Sequence, residues 1–172
     1  MDRHKLDWEV NGTHAAFVLA TTPVFRGVDA GELQQACMAL CESGTFEREQ
    51  YIGRQFVGAG EILFEQDALA ETLYVVESGR LEVIHTPSDG KSPVHIAALK
   101  QADLFGEAVI ANERQRTATV KAVADSTVLV VHQDALRELM RQFPAISTAI
   151  LRLMLERQAE LRSIAANFGR SL

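Results

Sequence analysis

Residues 105–122 read Phe-Gly-Glu-Ala-Val-Ile-Ala-Asn-Glu-Arg-Gln-Arg-Thr-Ala-Thr-Val-Lys-Ala: a glycine-acid pair opens a helical turn, and an arginine follows after a loop. An arginine guanidinium is a planar fork of N–H donors that matches two phosphate oxygens, which makes Arg116 the candidate for holding a phosphate charge. The carboxylate of Glu107 accepts hydrogen bonds and suits a ligand hydroxyl, while Gly106 lets the backbone approach a ligand without a Cβ in the way. A helical turn starting near Glu107 directs backbone N–H groups and the positive end of its dipole at an anion. Ala108 and Ala118 would add N–H groups and Thr117 a hydroxyl beside the phosphate; Phe105 and Val109 complete the candidate segment. No spacing in the chain suggests a Ser-His-Asp, Cys-His or paired-carboxylate arrangement, so the chemistry expected is binding, with no enzymatic turnover.

A rigid scaffold must hold these groups, and the hydrophobic pattern indicates which. Short β signals run through Tyr51-Ile52, Phe56-Val57, Ile62-Leu63-Phe64, Leu73-Tyr74-Val75-Val76, Leu81-Glu82-Val83-Ile84 and Val94-His95-Ile96, then 117–123 and 127–131. Gly58-Ala59-Gly60, Ser78-Gly79 and Pro87-Ser88-Asp89-Gly90 separate several of them. Many short strands with tight turns predict an antiparallel sandwich or rolled barrel. Before them, Leu33, Ala36, Cys37 and Leu40 recur at helical spacing after an Arg26-Gly27 turn and predict a short amphipathic helix over 29–40. Residues 1–20 have weak periodicity and are read only as a segment that packs Trp8, Phe17 and Leu19 onto the domain.

From Asp134 the period returns to 3.6 with Leu136, Leu139 and Met140, and Pro144 suits the first turn of a long last helix reaching about Asn167. Along it Phe143, Ser147, Ile150, Met154, Arg157, Leu161, Ile164 and Phe168 fall at alternating spacings of four and three. That seam is of the kind that pairs helices between subunits, with Ser147 and Arg157 as interruptions; the plainer reading packs the stripe on its own β domain. The fold class expected is mainly β with flanking helices: an antiparallel β-roll (a double-stranded β-helix, jelly-roll-like) with a short N-terminal helix and a long C-terminal helix. Its parts are 1–45 as N-terminal segment and helix, 46–132 as β-roll with the binding segment at 105–118, and 133–172 as C-terminal helices for a lid or a dimer contact.

Bulk properties narrow the partners. The 172 residues are 47% hydrophobic and 23% charged, the composition of one ordered domain with a real core. A net charge of −6 argues against a broad nucleic-acid or anionic-membrane footprint, because such surfaces need clustered Lys and Arg. No apolar stretch approaches the roughly 20 residues that span a bilayer, and MDRHKLDWEV lacks the apolar centre of a signal peptide, so a cytoplasmic location is expected. Cys37 and Cys41 lack the second Cys or His pair that a zinc or iron–sulfur site needs and read as free thiols, with a redox pair as the lesser reading.

Phe105-Gly106-Glu107 and Arg116-Thr117-Ala118, with nine positions from Glu107 to Arg116, resemble the phosphate-binding cassette of the cyclic-nucleotide-binding family. That family includes catabolite activator proteins and regulatory subunits of cyclic-AMP-dependent kinase. The resemblance runs from about Val24 to the last helix and takes in Gly60-Glu61-Ile62-Leu63, Leu73-Tyr74-Val75-Val76 and Ser78-Gly79-Arg80-Leu81-Glu82-Val83. It implies a sensor for cyclic AMP, with cyclic GMP as a second ligand hinted at by Thr117, and no other cofactor. Arg116 would hold the phosphate, and Glu107 with Gly106 the ribose. In the family the last helix closes over the base, and counting down from Arg116 without gaps places that contact near Leu161, Arg162 and Ser163. Leu161 is apolar where a hydroxyl is usual, which leaves Arg162 or Ser163 as substitutes, Arg by stacking. Two departures are Gln66-Asp67-Ala68, where Gly-Asp is usual, so that the turn before the third strand is made differently, which the fold survives because Asp tolerates a left-handed backbone, and an altered stretch over 41–52.

The same residues have plainer uses: Glu107 as a helix cap, Arg116 in an ion pair with Glu113, the glycines as turns. A domain that has lost its ligand is therefore one alternative. Another is a cupin-type metal-dependent enzyme on the same rolled architecture, for which His85 and His95 flank a turn but no His-x-His pair exists. A DNA-binding sensor is disfavoured because no recognition helix follows the long helix and no basic stripe is present. Output would pass through an effector protein or through a homodimer built on the C-terminal helix.

Overall fold

The computed structural model describes residues 6–7, 10–42, 52–110 and 114–169. Trp8, the altered stretch after Glu42, Tyr51 and Glu113 lie outside the described residues. Nine strands and four helices are assigned among those described: β1 (Leu6–Asp7), α1 (Gly12–Ala20), α2 (Ala30–Glu42), β2 (Ile52–Val57), β3 (Ile62–Phe64), β4 (Thr72–Ser78), β5 (Leu81–His85), β6 (Val94–Leu99), β7 (Leu104–Phe105), β8 (Thr119–Ala122), β9 (Ser126–His132), α3 (Gln133–Gln142) and α4 (Pro144–Gly169). The strands form two sheets, in the orders β1-β2-β9-β4-β7 and β3-β8-β5-β6, and every named pairing is antiparallel. This is the β-roll expected from the strand pattern. None of the described helices is long and apolar enough to cross a membrane.

Side-chain alternation explains why β4 and β9 read as unbroken apolar runs. In β4, Leu73 and Val75 point to one face and Tyr74 and Val76 to the other; β9 does the same with Leu129 and Val131 against Val128 and Val130. The first set joins Leu19, Phe25, Leu33, Leu136, Leu139, Ile146 and Ile150 in a core between the larger sheet and the helices. The second meets Leu63, Leu81, Leu99, Phe105 and Val120 in a core inside the roll. A sheet covered on both faces needs apolar residues at every position. Gly79, at φ +92, makes the β4–β5 turn, and a Cβ there would fall 2.3 Å from Ser126 Oγ and 2.5 Å from Asp125 O. At the unusual Gln66-Asp67-Ala68 turn it is Asp67 that takes the left-handed conformation, at φ +68, as its short polar side chain allows.

The weak periodicity of residues 1–20 predicts no helix there, yet α1 occupies Gly12–Ala20. α1 escapes periodicity because Ala15, Ala16, Val18 and Leu19 are all buried, so its segment GTHAAFVLA shows no clear polar face. Its start is nonetheless marked: the Asn11 side chain accepts from the His14 N–H at 2.8 Å. α1 lies directly on α2, where a Cβ on Gly12 would sit 2.3 Å from both Cα and N of Met38. Cys37 faces this contact region and is buried; burial, with Cys41 nearby, pushes its thiol up to about 12.

The four-three seam of the last helix also differs from the subunit-pairing reading. Ile146 and Ile150 are fully buried in the helix-side core, Phe143 and Met154 pack on it, and Leu161 and Ile164 face a cavity of their own roll. Periodicity identified one face of α4: from Phe143 to Met154 this chain's own core covers it, and from Arg157 to Ile164 it borders the cavity. Replacing Gly12 by Ala forces backbone apart at the α1–α2 contact. It should cost about 2 kcal/mol by overpacking and lower Tm by several degrees, about 2–4 °C per kcal/mol at this size. An unchanged melting curve for Gly12→Ala would contradict the close contact.

Candidate functional site

Arg116 is the centre of the site. It precedes β8, is 3% exposed, and its guanidinium lies over the Phe64 ring at 4.1 Å from the centroid and over Tyr74 at 5.4 Å. Phe64, Tyr74 and Phe105, from three different strands, stack on one another with centroids 5.2–6.2 Å apart and form the bed for this cation. Nη1 donates to Gly106 O at 3.1 Å, and Nη2 to Thr72 O and Oγ1 at 2.9 and 3.0 Å. Nε is buried with no acceptor, and no carboxylate forms an ion pair with Arg116 among the described residues. Burial holds the guanidinium below its ordinary value, opposed by Tyr74, Glu107 and Glu71. Among the described residues the charge is thus held by dipoles and ring faces, with no carboxylate in direct contact.

Gly106 has to be glycine here. Its φ is +83, and a Cβ would meet Arg116 Nη1 at 2.8 Å, Thr72 O at 3.1 Å and Tyr74 Cδ2 at 3.1 Å. The strand β7 pairs with Tyr74 and Val75 of β4, and Gly106 turns the chain directly into a 3-10 turn over Glu107–Ile110.

These elements border a cavity of about 280 Å³, close to the roughly 300 Å³ at which small-molecule sites begin. Phe105, Gly106, Glu107, Ala108, Arg116, Thr117 and Ala118 line it, so seven of the ten residues singled out from the sequence come together. Val83, Ile96 and Leu99 supply an apolar wall from β5 and β6, and Leu161 and Ile164 another from α4. Three of the ten stand apart. Val109 is buried on the opposite side of the 3-10 turn and does not line this cavity, whereas Arg162 and Ser163 are exposed. The reason is helical phase: with Leu161 facing the cavity, the next two residues are turned about 100° and 200° away, and Gln158 and Glu160 flank the opening instead.

The sequence reading missed Arg157, which entered only as an interruption of the seam. Its Nη1 donates to Glu107 Oε2 and its Nη2 to Leu104 O, so α4 is tied by a charged side chain to the carboxylate of the cassette. A charge at an inward position of an apolar stripe was the available signal. Thr72, Phe64 and Tyr74 left no comparable trace, since their roles depend on contacts across as many as 52 positions. The two histidines weighed as metal ligands are separately engaged, His85 Nδ1 with Thr117 O at 3.0 Å and His95 with Glu82 at 3.9 Å. The described residues contain no group of three or more His, Cys, Asp or Glu suited to a metal ion.

The family model of the cyclic nucleotide-binding domain matches residues 54–143, just over half of the chain, from within β2 to the end of α3. The chain belongs to that family. The domain is 27% identical over 139 residues to the cyclic AMP receptor protein of Thermus thermophilus, covering 81% of this chain and 58% of that one. In fold it is similar to the crystal structure of the Thermus thermophilus catabolite activator protein, with a TM-score of 0.69 at 24% identity over 86% of this chain and 63% of that chain. It is also similar to the regulatory subunit of a cAMP-independent protein kinase A from Trypanosoma cruzi bound to guanosine, with a TM-score of 0.68 at 20% identity over 92% and 51%. The chain therefore spans less than two thirds of each of these relatives.

In this cyclic nucleotide-binding domain the Arg157–Glu107 pair is a charged contact that ties the second half of α4 to the roll. Replacing Arg157 by Ala should raise hydrogen–deuterium exchange beyond Met154 by about tenfold, the loss of a part-buried charged contact of about 1.5 kcal/mol. Exchange in the β-roll should not change. Unaltered protection along α4 would mean that the pair does not hold the helix.

Proposed function

We propose that this domain binds a cyclic nucleotide, cyclic AMP foremost and cyclic GMP second, and converts occupancy into a change in the position of α4 without acting on the ligand as an enzyme. The observation that carries this reading is the buried Arg116 guanidinium, without an ion-pair partner among the described residues, on the border of an otherwise largely apolar cavity. A guest with one negative charge and a flat apolar body satisfies both properties. Arg116 takes the phosphate through its fork, assisted by the backbone of Ala108 and Ala118 and by the Thr117 hydroxyl. Glu107 accepts from the ribose 2′-hydroxyl, and Gly106 admits the sugar. Val83, Ile96, Leu99, Leu161 and Ile164 enclose the base by burial of apolar surface.

Signal transmission follows from who already holds Glu107. The carboxylate that reads the ribose is the one that Arg157 grips, so a ribose hydroxyl entering there redistributes hydrogen bonds between the ligand and α4. Any difference in affinity between the two helix positions then becomes a population shift. The readout goes to an effector protein or a second copy of the chain. For a second copy, α4 offers an outward face with Leu151 and Leu155 one turn apart, 53% and 69% exposed. With a net charge of −6, direct DNA binding by this segment is not part of the reading.

Calorimetric titration with cyclic AMP, cyclic GMP and guanosine tests the proposal. Both cyclic nucleotides should bind, with uncharged guanosine well behind because it leaves Arg116 unanswered. Arg116→Leu should weaken cyclic AMP by about a hundredfold or more, the cost of removing one partner from a buried charge-assisted contact. Equal affinity of wild type and Arg116→Leu, or preference for guanosine, would refute the assignment.

A further inference from the structure

The backbone on either side of the Arg116 side chain is held from outside the cavity. Two main-chain hydrogen bonds pin Arg116 to the 66–68 turn, Asp67 N–H to Arg116 O at 2.8 Å and Arg116 N–H to Ala68 O at 2.9 Å. The next carbonyl, that of Thr117, meets Nδ1 of His85, the last residue of β5, at 3.0 Å. A carbonyl oxygen only accepts, so Nδ1 carries the proton in this contact and donates it. Gln66 in turn holds the chain beside His85: its side chain donates to Thr86 O and accepts from Thr86 N–H, both at 2.9 Å. Thr117 and Ala118 line the cavity, whereas His85 does not.

In a planar trans peptide the C=O and the following N–H point in opposite directions. Holding Thr117 O towards His85 therefore aims Ala118 N–H away from His85, and that N–H has no acceptor among the described residues. Ala118 is only 5% exposed, and a backbone donor in such a place calls for a partner. We infer, on the reading of the cavity proposed above, that His85 is a positioning residue for the ligand phosphate: through the Thr117–Ala118 peptide it aims and polarises the N–H that meets a phosphate oxygen. A hydrogen bond received at the carbonyl end of a peptide strengthens the donor at its other end. His85 thus acts on the ligand from the far side of the backbone without touching it, and Gln66 keeps the end of β5 where the imidazole can reach.

Calorimetric titration of the whole chain with cyclic AMP, together with 15N NMR, tests this on two variants. His85→Leu removes the donor, and His85→Asn returns an N–H donor near the position of Nδ1. His85→Leu should weaken cyclic AMP about fivefold, the loss of one hydrogen bond, and should move the Ala118 15N resonance of the free domain upfield. His85→Asn should recover most of both. Unchanged affinity or an unmoved Ala118 resonance in His85→Leu, or no recovery in His85→Asn, would overturn the inference. So would a wild-type imidazole with its proton on Nε2 alone, which 15N couplings within the ring read without any variant. Wild type with no affinity for cyclic AMP would overturn the reading of the cavity as well, whereas full affinity retained in His85→Leu overturns the role of His85 and leaves that reading standing.

Discussion

Taking the Arg116 charge out of water is the constraint around which the rest of the site is arranged. Moving an unpaired cation into a protein interior costs several kcal/mol after relaxation, and the fold offsets that cost with oriented dipoles. The carbonyls of Gly106 and Thr72, the Thr72 hydroxyl and the faces of Phe64 and Tyr74 surround the guanidinium. A carboxylate in their place would have neutralised the charge and removed the attraction for an anionic guest. Dipoles stabilise the cation where it sits while leaving its field available, and one buried N–H has no acceptor among the described residues. This explains why the residue after β7 is glycine at positive φ: its carbonyl and its missing Cβ are both needed within 3.1 Å of the guanidinium.

The two cores divide the labour. The inner one sets the aromatic bed by bringing Phe64, Tyr74 and Phe105 from three strands into one stack. The helix-side core fixes the first half of α4 through Ile146 and Ile150 and releases the second half over the cavity, where Arg157 engages Glu107. One helix thus belongs to the helix-side core at its start and to the cavity wall at its end. Such a helix can report on the site without the β-roll having to rearrange.

Much of this was readable from the residues in order, for physical reasons that differ by feature. The roll was legible because short apolar runs punctuated by Gly, Pro and Asp have few other uses, and because β4 and β9 had to be apolar on both faces. The two ends of the candidate site, Phe105-Gly106-Glu107 and Arg116-Thr117-Ala118, were legible as local sequence, and both line the cavity. The left-handed Asp67 followed from side-chain chemistry. α1 was not legible, since a helix buried on several sides loses the polar stripe that marks its period. The direction of the α4 seam was not legible either: spacing says which residues share a face and is silent on what covers it. Arg162 and Ser163 were placed by counting, and a shift of one residue on a helix is a rotation of about 100°, enough to exchange a lining position for an exposed one. Thr72 and the aromatic bed depend on approaches between distant strands that no local pattern records.

The most direct measurement of the central claim is the NMR signal of the Arg116 Nε–H in 15N-labelled protein, followed through addition of cyclic AMP. A buried N–H without an acceptor should give a resolved, slowly exchanging resonance in the free domain that moves downfield as a phosphate oxygen arrives. A resonance that stays in place while the nucleotide binds would contradict the account, because the ligand would then be held by something other than this guanidinium.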